Sequence, residues 1–495
     1  MKITPNVSKL SEYANAGYTI VPVSCEIYSD SVTPIDVLKK LKYVSSHCYL
    51  LESAHADEKW GRYTFLGYNP RMEITCTDGQ ITVKSDDNIT VMNEAPEKVL
   101  RKIINENKSP VIEGLPPFTG GLVGYFSYDY IKYSEPNLNL DAKDSENFKD
   151  FDLMLFDKVI AFDNYRQKIV LIANCRCNDS EQEYHRAETE LKVMKELVLN
   201  GKKNSADIGR MTSEPRTLFT KEEYCNMVKK AKEYIVDGDI FQVVLSNRID
   251  IDFEGSLLDT YRVLRATNPS PYMFYLSGDD VEIAGASPET LVKLENGTLH
   301  TFPLAGTRPR GKTESEDLSL EKELLADEKE CAEHNMLVDL GRNDLGRISE
   351  FGTVKVDKYM DVLRFSHVMH IGSTVRSTIR KDRDALDAVS AVLPAGTLSG
   401  APKFRACQII NELENNKRGI YGGAIGYIDF TGNLDTCIAI RIAYKKNGKV
   451  FVRSGAGIVA DSIPENEYRE CINKAQAVVN ALKTAQGGLD NDSAN

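Results

Sequence analysis

The chain has 495 residues, 42% of them hydrophobic, which is enough to bury a large core and excludes a small module. Its net charge of -12 argues against a nucleic-acid surface, and no run approaches the roughly 20 apolar residues of a membrane span. The ten cysteines lack the paired spacing of a zinc site and the first residues lack the order of a signal peptide, so we expect free thiols and a cytoplasmic location.

The first 200 residues carry the pattern of antiparallel sheet with covering helices. Residues 72–92 alternate apolar and polar side chains around Asp78-Gly79, a dipeptide typical of tight turns, and predict a β-hairpin. Residues 153–162 and 168–173 predict a second hairpin, and the charged run over 181–199 predicts a helix.

A polar, turn-rich segment at residues 200–216 is the best candidate for a boundary, because it has no periodicity. We therefore divide the chain into an N-terminal region, 1–210, a second region, 217–485, and a disordered tail, 486–495. The second region is predicted to hold a helix over 220–236 and, with helices between them, strands at 241–248, 281–294, 425–428 and 437–443.

Paired glutamates on two predicted helices are the first chemical signal. A helix over 324–344 would present one stripe made of Ala326, Glu330, Glu333 and Leu337. Two carboxylates on a partly apolar face suit a hard divalent cation, because bringing them together without one costs Coulomb and desolvation energy. A solvated acidic face is the alternative for this helix.

The second helix is indicated by the capping-box spacing of Ser462 and Glu465, with Pro464 in the first turn. Its core stripe is predicted to consist of Ile472, Ala475, Val479 and Leu482. The opposite face holds Glu467, Glu470 and Lys474, which ordinary surface charges would also explain. In combination, the two Glu-x-x-Glu pairs could give Mg²⁺ oxygen ligands and leave room for a substrate carboxylate.

Three glycine-rich segments, 304–311, 394–403 and 454–459, read as turns whose backbone N–H groups could approach an anion, although such turns often just connect strands. Arg441 lies in an apolar predicted strand, where a buried guanidinium needs an anionic partner, either a ligand or a structural carboxylate. His370 also lies in an apolar run, where a core histidine is commoner than a catalytic one.

Longer motifs stand in order along nearly the whole chain: LLESA, PFTGGLVGYFSYD, IFQVVLSNR, NPSPYMFYL, GASPE, FPLAGTRPRG, DEKECAEHNMLVDLGRNDLGR, FSHVMH, LPAGTLSGAPK, YGGAIGY and PENEYRECINKAQA. Together they resemble the chorismate-utilising enzymes and, within that family, the large subunits of anthranilate synthases. The resemblance implies an α+β fold in which antiparallel β-sheets pack over a central active site with helices outside. It also implies that N-terminal and C-terminal segments interleave.

The resemblance implies a Mg²⁺-dependent lyase that converts chorismate and ammonia to anthranilate and pyruvate, the first step of tryptophan biosynthesis. Glu289 matches the general acid that protonates the departing ring hydroxyl, a role that needs a raised pKa. His370 matches the histidine linked to elimination of pyruvate, and Arg441 would pair with the pyruvyl carboxylate. The implied metal ligands are Glu330, Glu333, Glu467 and Glu470. Further positions that match substrate or catalytic contacts are Thr307, Thr397, Tyr421, Gly455, Ala456, Gly457 and Lys474.

Two positions separate this chain from relatives within the resemblance. Family members that add water carry a lysine general base where this chain has Gln242, and neutral ammonia needs no such base. Aminodeoxychorismate synthases present a nucleophilic lysine where this chain has Ala305, which cannot form that covalent intermediate. Both positions favour ammonia chemistry that ends in anthranilate.

The same resemblance implies a feedback site for tryptophan, although the Pro-Ser-Pro-Tyr segment could instead be only a rigid loop. Its expected residues are Glu52, Ser53, Asn268, Pro269, Pro271, Tyr272, Met273, Phe274, Tyr427 and Cys437.

No glycine-flanked cysteine resembles a glutamine amidotransferase nucleophile, so ammonia is expected from a separate amidotransferase subunit, component II, in a heterotetramer of two large and two small subunits. The alternatives are an aminodeoxychorismate synthase component and a non-catalytic tryptophan-sensing protein of the same fold. Intact Glu289, His370 and glutamate pairs speak against the second alternative.

Overall fold

The computed structural model describes residues 2–54, 61–85, 88–178, 180–203, 208–364, 368–486 and 489. In these residues two large antiparallel sheets pack face to face, and helices cover their outer faces. None of the helices in this part of the chain is long and apolar enough to cross a membrane. Of the predicted tail, only Gln486 and Leu489 are described, so that prediction lies outside the described residues, as does the start of the FSHVMH motif at 365–367.

The α-helices of the described residues are, in chain order, α1 (Leu10–Asn15), α2 (Pro34–Val44), α3 (Pro96–Asn105), α4 (Ile131–Ser134), α5 (Ser180–Asn200), α6 (Lys221–Val236), α7 (Leu258–Thr267), α8 (Glu314–Ala326), α9 (Glu328–Gly346), α10 (Ala385–Val392), α11 (Lys403–Glu414) and α12 (Pro464–Ala485).

The strands up to residue 217 are β1 (Ile20–Tyr28), β2 (Cys48–Glu52), β3 (Tyr63–Tyr68), β4 (Met72–Thr77), β5 (Gln80–Ser85), β6 (Asn88–Met92), β7 (Gly121–Phe126), β8 (Phe151–Phe156), β9 (Lys158–Asp163), β10 (Lys168–Arg176), β11 (Arg210–Met211) and β12 (Arg216–Thr217). The later strands are β13 (Gln242–Glu254), β14 (Tyr272–Ser277), β15 (Glu282–Ser287), β16 (Thr290–Glu295), β17 (Thr298–Thr301), β18 (Leu304–Pro309), β19 (Lys355–Arg364), β20 (Val368–Thr378), β21 (Gly400–Ala401), β22 (Ala424–Asp429), β23 (Leu434–Ile438), β24 (Ile442–Lys446) and β25 (Lys449–Ile458).

Both sheets combine strands from either side of residue 210. The first sheet runs in the order β1-β10-β9-β3-β2-β14-β15-β24-β25-β13-β11, with β12 and β21 also paired to β13. The second runs β18-β20-β17-β16-β23-β22-β7-β8-β4-β5-β6, with β19 paired to β20. One hydrophobic core lies between the sheets, and one larger core lies between each sheet and its helices. A further core packs α6 and α11 against β13 and β25. The two regions of the sequence therefore share their cores.

Local turn and capping signals predicted several elements correctly. The hairpin at 72–92 is confirmed as β4 and β5, with β6 as a third strand, and Asp78 and Gly79 both have positive φ angles in its turn. The β9–β10 hairpin and α5 are also confirmed. Helix α6 begins after Thr220, whose side chain forms a reciprocal capping box with Glu223.

Three predicted strands were wrong in the same way, because each is two strands that belong to different sheets. Residues 153–162 divide into β8 and β9, 281–294 into β15 and β16, and 437–443 into β23 and β24. The chain crosses from one sheet to the other at each break, and both flanking strands are buried. Apolar residues therefore continue on both sides of the crossing, so the hydrophobic pattern does not show the change of sheet.

The helix predicted over 324–344 was also wrong, because it is two helices. Helix α8 ends at Ala326, and the side chain of Asp327 accepts hydrogen bonds from the first turn of α9. Ala326 thus leaves the stripe that contains Glu330, Glu333 and Leu337.

Two further predictions need correction. The residue that precedes α12 is Ile463, not Ser462, and the Ser462 hydroxyl accepts from the Val459 N–H instead. In the core stripe of α12, Cys471 is fully buried, whereas Ile472 is not. The glycine-rich segments at 304–311 and 454–459 lie mainly in β18 and β25, and only 394–403 is mainly turn. Gly306, with φ 66°, lies at a register shift of the β18–β20 pair.

Candidate active site

Glu289 lies at the crossing between β15 and β16. The Ile438 N–H donates to its carbonyl at 2.9 Å, and its own N–H donates to the Ser287 hydroxyl at 3.3 Å, so the backbone is held on both sides. Its Oε2 accepts a hydrogen bond from Thr397 Oγ1 at 3.0 Å. Burial raises the pKa of Glu289, while the Thr397 bond and the charges of Lys474 and Arg441 oppose that rise. A carboxyl whose pKa is raised is suited to donate a proton.

Arg441 lies at the crossing between β23 and β24, where its backbone takes the left-handed conformation with φ 54°. Its Nη1 donates to the Lys474 carbonyl at 3.1 Å, and no carboxylate of the described residues lies within 4.0 Å of its guanidinium. Burial lowers its pKa, and the charge of Glu289 opposes that change. A half-buried guanidinium without a carboxylate partner suits an anionic ligand.

His370 and Thr307 are paired residues on β20 and β18. The Nδ1 of His370 lies 2.9 Å from the Gly306 carbonyl and 3.0 Å from Thr307 Oγ1. Because a carbonyl only accepts, Nδ1 carries the proton and Nε2 is the basic nitrogen. Burial also lowers the pKa of His370, so the ring is neutral near pH 7 and can accept a proton.

Gln242 begins β13 opposite the glycines of β25. Its side chain is buried, and its Oε1 has no hydrogen-bond partner in the described part of the chain. A Cβ at Gly457 would lie 2.7 Å from Gln242 Nε2, and one at Gly455 would lie 3.0 Å from Tyr421 Oη, so these glycines are needed for the close approach. Ala456 faces a hydrophobic core, which leaves only its backbone for a ligand. Lys474 Nζ donates to the Gly455 carbonyl at 3.2 Å.

The four glutamates lie on α9 and α12 as predicted, at the beginnings of the two helices. Burial raises the pKa of Glu333, and the charges of Glu330 and Glu470 add to the rise. Burial also raises the pKa of Glu467. Glu330 pairs with Arg308 at 3.5 Å and Glu470 with Lys474 at 2.6 Å. Glu333 and Glu467 form no ion pair within the described residues, and their raised pKa values indicate a lack of positive charge that a hard divalent cation would supply.

A second acidic group lies elsewhere, near the ends of strands β2, β4 and β14. His47, Glu73 and Asp279 bring possible ligand atoms within 4.8 Å of one another. Lys84 is already paired with Asp279, and Lys149 lies 3.5 Å from Glu73. These ammonium groups supply the positive charge that a metal would bring, so this group is better explained as an ion-pair network.

A cavity of about 820 Å³ lies between the sheets. Of the residues expected in the inhibitor site, those that line it are Glu52, Ser53, Pro271, Tyr272, Met273, Phe274, Tyr427 and Cys437. Asn268 and Pro269 do not line it; they lie between the end of α7 at Thr267 and Pro271. The carboxylate of Glu52 is already held by Arg265 Nε at 2.6 Å and Nη2 at 3.1 Å, and by the Tyr261 hydroxyl.

The sequence interpretation missed Asp435 and the chain crossing as walls of this cavity. Asp435 lines it together with Pro288 and Thr290, which flank Glu289. Tyr272 Oη donates to Asp435 Oδ1 at 2.8 Å. The signal for Asp435 was present, since it stands two residues before Cys437 on a strand and so faces the same side. The crossing at Glu289 brings the active site and the cavity together, and the sequence interpretation did not include it.

The chain matches the family of chorismate binding enzymes over residues 46–480. It is 46% identical to "Anthranilate synthase component 1" of Acetivibrio thermocellus, over 94% of this chain and 96% of that one. The crystal structure of anthranilate synthase component I from Streptococcus pneumoniae TIGR4 superposes with a TM-score of 0.76 at 38% identity, covering 91% of this chain and 98% of that one. The menaquinone-specific isochorismate synthase of Escherichia coli shares the fold, with a TM-score of 0.69 at 19% identity over 96% and 99% of the two chains.

Proposed function

Because the chain belongs to the family of chorismate-binding enzymes, we propose that it is the chorismate-converting component of an anthranilate synthase. The reaction is that of a lyase: chorismate and ammonia give anthranilate, pyruvate and water, the first step toward tryptophan. The observation that carries the proposal is the meeting of Glu289 and Arg441 at two neighbouring sheet crossings, where the charges of Arg441 and Lys474 act on the Glu289 carboxyl.

Binding of chorismate is assigned to the polar groups around these crossings. Arg441 receives the pyruvyl carboxylate, since its guanidinium forms no ion pair with a carboxylate of the described residues. Tyr421, Thr307 and the backbone of Gly455 and Gly457 complete the substrate wall. Glu330, Glu333, Glu467 and Glu470 would hold Mg²⁺, whose positive charge supplies electrostatic binding of the ring carboxylate.

In the first half of the reaction a C–N bond forms and a ring C–O bond breaks. Glu289 donates its proton to the departing hydroxyl, which leaves as water, and Thr397 holds the carboxyl in place through its 3.0 Å hydrogen bond. Ammonia attacks in its neutral form. Gln242, whose Oε1 is buried without a protein partner in the described chain, can accept an N–H from ammonia but cannot deprotonate water.

In the second half, the aminated ring loses a proton and pyruvate, and the ring becomes aromatic. Nε2 of His370 accepts the ring proton, because Nδ1 is occupied by the Gly306 carbonyl. The bond between the ring carbon and the enolpyruvyl oxygen breaks, and its electrons leave with the enolpyruvyl group. That group takes up a proton and becomes pyruvate. Arg441 stays with that carboxylate during departure.

Partner and inhibitor follow from the same proposal. Ammonia is supplied by a glutamine amidotransferase, component II, in a heterotetramer, and the relatives' name "component 1" supports a second component.

Tryptophan occupies the cavity between the sheets, whose lining of Met273, Phe274 and Tyr427 suits an indole. All ten cysteines are free thiols, which supports a cytoplasmic location.

The deciding experiment mixes the purified chain with chorismate, Mg²⁺ and ammonium salt at alkaline pH and records anthranilate fluorescence, with and without tryptophan. Fluorescence that tryptophan suppresses is expected. A non-fluorescent amino product without pyruvate would indicate aminodeoxychorismate synthesis. Binding of tryptophan without any conversion of chorismate, even after addition of a glutamine amidotransferase component, would indicate a sensing protein.

A further inference from the structure

The segment that carries Glu289 is a wall between the active site and the cavity. Its neighbours Pro288 and Thr290 line the cavity, whereas the Glu289 carboxylate accepts its hydrogen bond from Thr397. Adjacent residues of an extended segment point to opposite sides. The catalytic carboxyl and the cavity are therefore separated by the thickness of one chain segment.

Tyr272 touches this segment at both ends. Its backbone is the register partner of Ser287 in the β14–β15 pair, and its hydroxyl accepts from Thr290 Oγ1 at 3.0 Å. Ser287 in turn accepts from the Glu289 N–H at 3.3 Å and donates to the Ile438 carbonyl at 2.7 Å. Ser287 and Thr290 thus contact Tyr272 directly, and Pro288 and Glu289 are each the chain neighbour of one of them.

The Tyr272 hydroxyl also contacts β23, the strand that pairs with β16 beside the Glu289 segment. It donates to Asp435 Oδ1 at 2.8 Å, so one hydroxyl bonds both Asp435 and Thr290. A ligand that moves the Tyr272 ring or competes for Asp435 changes the hydrogen bond to Thr290 as well. Burial raises the pKa of Asp435, and its hydrogen bond to Tyr272 opposes that rise.

We propose that Tyr272 is a positioning residue for Glu289, and that occupancy of the cavity reaches the catalytic carboxyl through the Tyr272–Thr290 hydrogen bond. This inference rests on the proposed function, in which Glu289 is the general acid and tryptophan fills the cavity. It adds the route of coupling: the inhibitor acts on the residue next to the acid, with no movement of a distant element required.

The test compares Tyr272→Phe and Thr290→Val with the wild-type chain, each of which removes one hydroxyl and keeps the side-chain volume close to native. Anthranilate formation from chorismate and ammonia gives kcat, KM and the tryptophan concentration for half-inhibition, and equilibrium dialysis gives tryptophan binding. Tyr28→Phe is the matched control, since it removes a tyrosine hydroxyl at the exposed end of β1, outside the cavity, and should leave the half-inhibitory concentration unchanged.

In both variants we expect kcat to fall by about tenfold or more while KM for chorismate changes by less than about twofold. Tryptophan should still bind, but the half-inhibitory concentration should rise by about 5- to 150-fold. Unchanged inhibition would overturn the inference, and so would loss of tryptophan binding in parallel with inhibition, which would make Tyr272 only a ligand contact.

The wild-type chain separates this inference from the proposed function. If it makes anthranilate but neither binds tryptophan nor is inhibited by it, the inhibitor site is refuted and the coupling falls with it. If it makes no anthranilate with ammonia or with a glutamine amidotransferase component, the function itself is refuted. If wild type behaves as proposed and only the variants fail to separate binding from inhibition, the inference alone is wrong.

Discussion

Thr397 donates its hydroxyl hydrogen to Oε2 of Glu289 across 3.0 Å, and this bond joins residues that are 108 positions apart in the chain. Thr397 lies in the single turn Gly396–Leu398, whose Leu398 carbonyl accepts from Arg418 Nη1 at 2.6 Å. The proton donor of the proposed reaction is thus held through a turn that is itself fixed from the protein interior.

Glu289→Gln should lower kcat by roughly 10²- to 10⁴-fold, because the amide cannot supply the proton. In wild type, Glu289 is active when protonated, so activity should be lost as pH rises through its raised pKa. Thr397→Val removes a hydrogen bond that lowers this pKa, so the alkaline limb of kcat should move to higher pH. The measurement is the pH profile of anthranilate formation at constant neutral ammonia. A limb that moves to lower pH in Thr397→Val would contradict this assignment.

His370→Asn should separate the two halves of the reaction. Loss of the base at Nε2 should slow pyruvate elimination by roughly 10²- to 10⁴-fold, while amination continues and the aminated intermediate accumulates. Because burial lowers the pKa of His370, wild type should keep this step at pH values below the ordinary histidine range and lose it as the ring becomes protonated. Chromatography of chorismate, intermediate and anthranilate checks both points. Equal slowing of chorismate consumption and anthranilate formation would argue against the role.

Glu333→Gln should have opposite effects with and without metal. Burial and the charge of Glu330 raise the pKa of Glu333, so neutralising it should raise the metal-free melting temperature. The Mg²⁺ concentration for half-maximal activity should rise by at least about tenfold, since the number of charged ligands sets the affinity. Thermal melts with EDTA and with Mg²⁺ measure this, and wild type should lose activity in EDTA. Asp339→Asn, which neutralises an exposed carboxylate on α9 that pairs with Arg342, is the control. A Mg²⁺-induced shift as large as that of wild type would exclude Glu333 as a ligand.

Ser53→Phe should abolish tryptophan inhibition and spare catalysis. Ser53 lines the cavity between the sheets, and a phenyl ring there would fill volume that the indole needs. Initial rates with increasing tryptophan should become flat, while the rate without tryptophan stays within about threefold of wild type. Inhibition at the wild-type tryptophan concentration would place the inhibitor elsewhere.

Much of the fold could be predicted from the sequence where the signal that determines it is local. Asp78-Gly79 specifies a turn by its own backbone preferences, and Thr220 with Glu223 specifies a helix start, so both predictions were correct. The crossing at Pro288-Glu289 was not predicted, because the strands on both sides are buried and apolar and the change of sheet depends on tertiary contacts. Pro288 was the single local sign of it.

The site shows the same division. Motifs pointed to Glu289 and Thr397, and an apolar predicted strand pointed to Arg441, but nothing local indicated that Thr397 donates to Glu289. The pairing of Glu52 with Arg265 joins residues 213 positions apart, so the Glu52 carboxylate already has a cationic partner within the protein. Which groups satisfy each other depends on contacts between distant segments, and such contacts have no signature in a single sequence.

The fully buried ion cluster beneath the active site gives a stability prediction. Glu414 accepts from Arg418 Nη2 at 2.6 Å and from Arg453 Nη2 at 2.7 Å, and all three side chains are almost completely buried. Burial alone would raise the pKa of Glu414, but the two guanidinium charges outweigh it and lower the pKa. Glu414 therefore contributes stability that is present above the unfolded pKa and lost as pH falls through the lower folded pKa.

Glu414→Gln leaves two buried guanidinium groups without a countercharge and should lower the free energy of unfolding by about 3–5 kcal/mol. Urea denaturation of both proteins at neutral pH measures the loss, and Glu233→Gln, which breaks an exposed pair with Lys230, should cause little change. Because Arg418 also donates to the Leu398 carbonyl beside Thr397, the variant should lower kcat under conditions where it is still folded. A stable Glu414→Gln protein with wild-type kcat would show that neither the cluster nor its link to the Thr397 turn is needed.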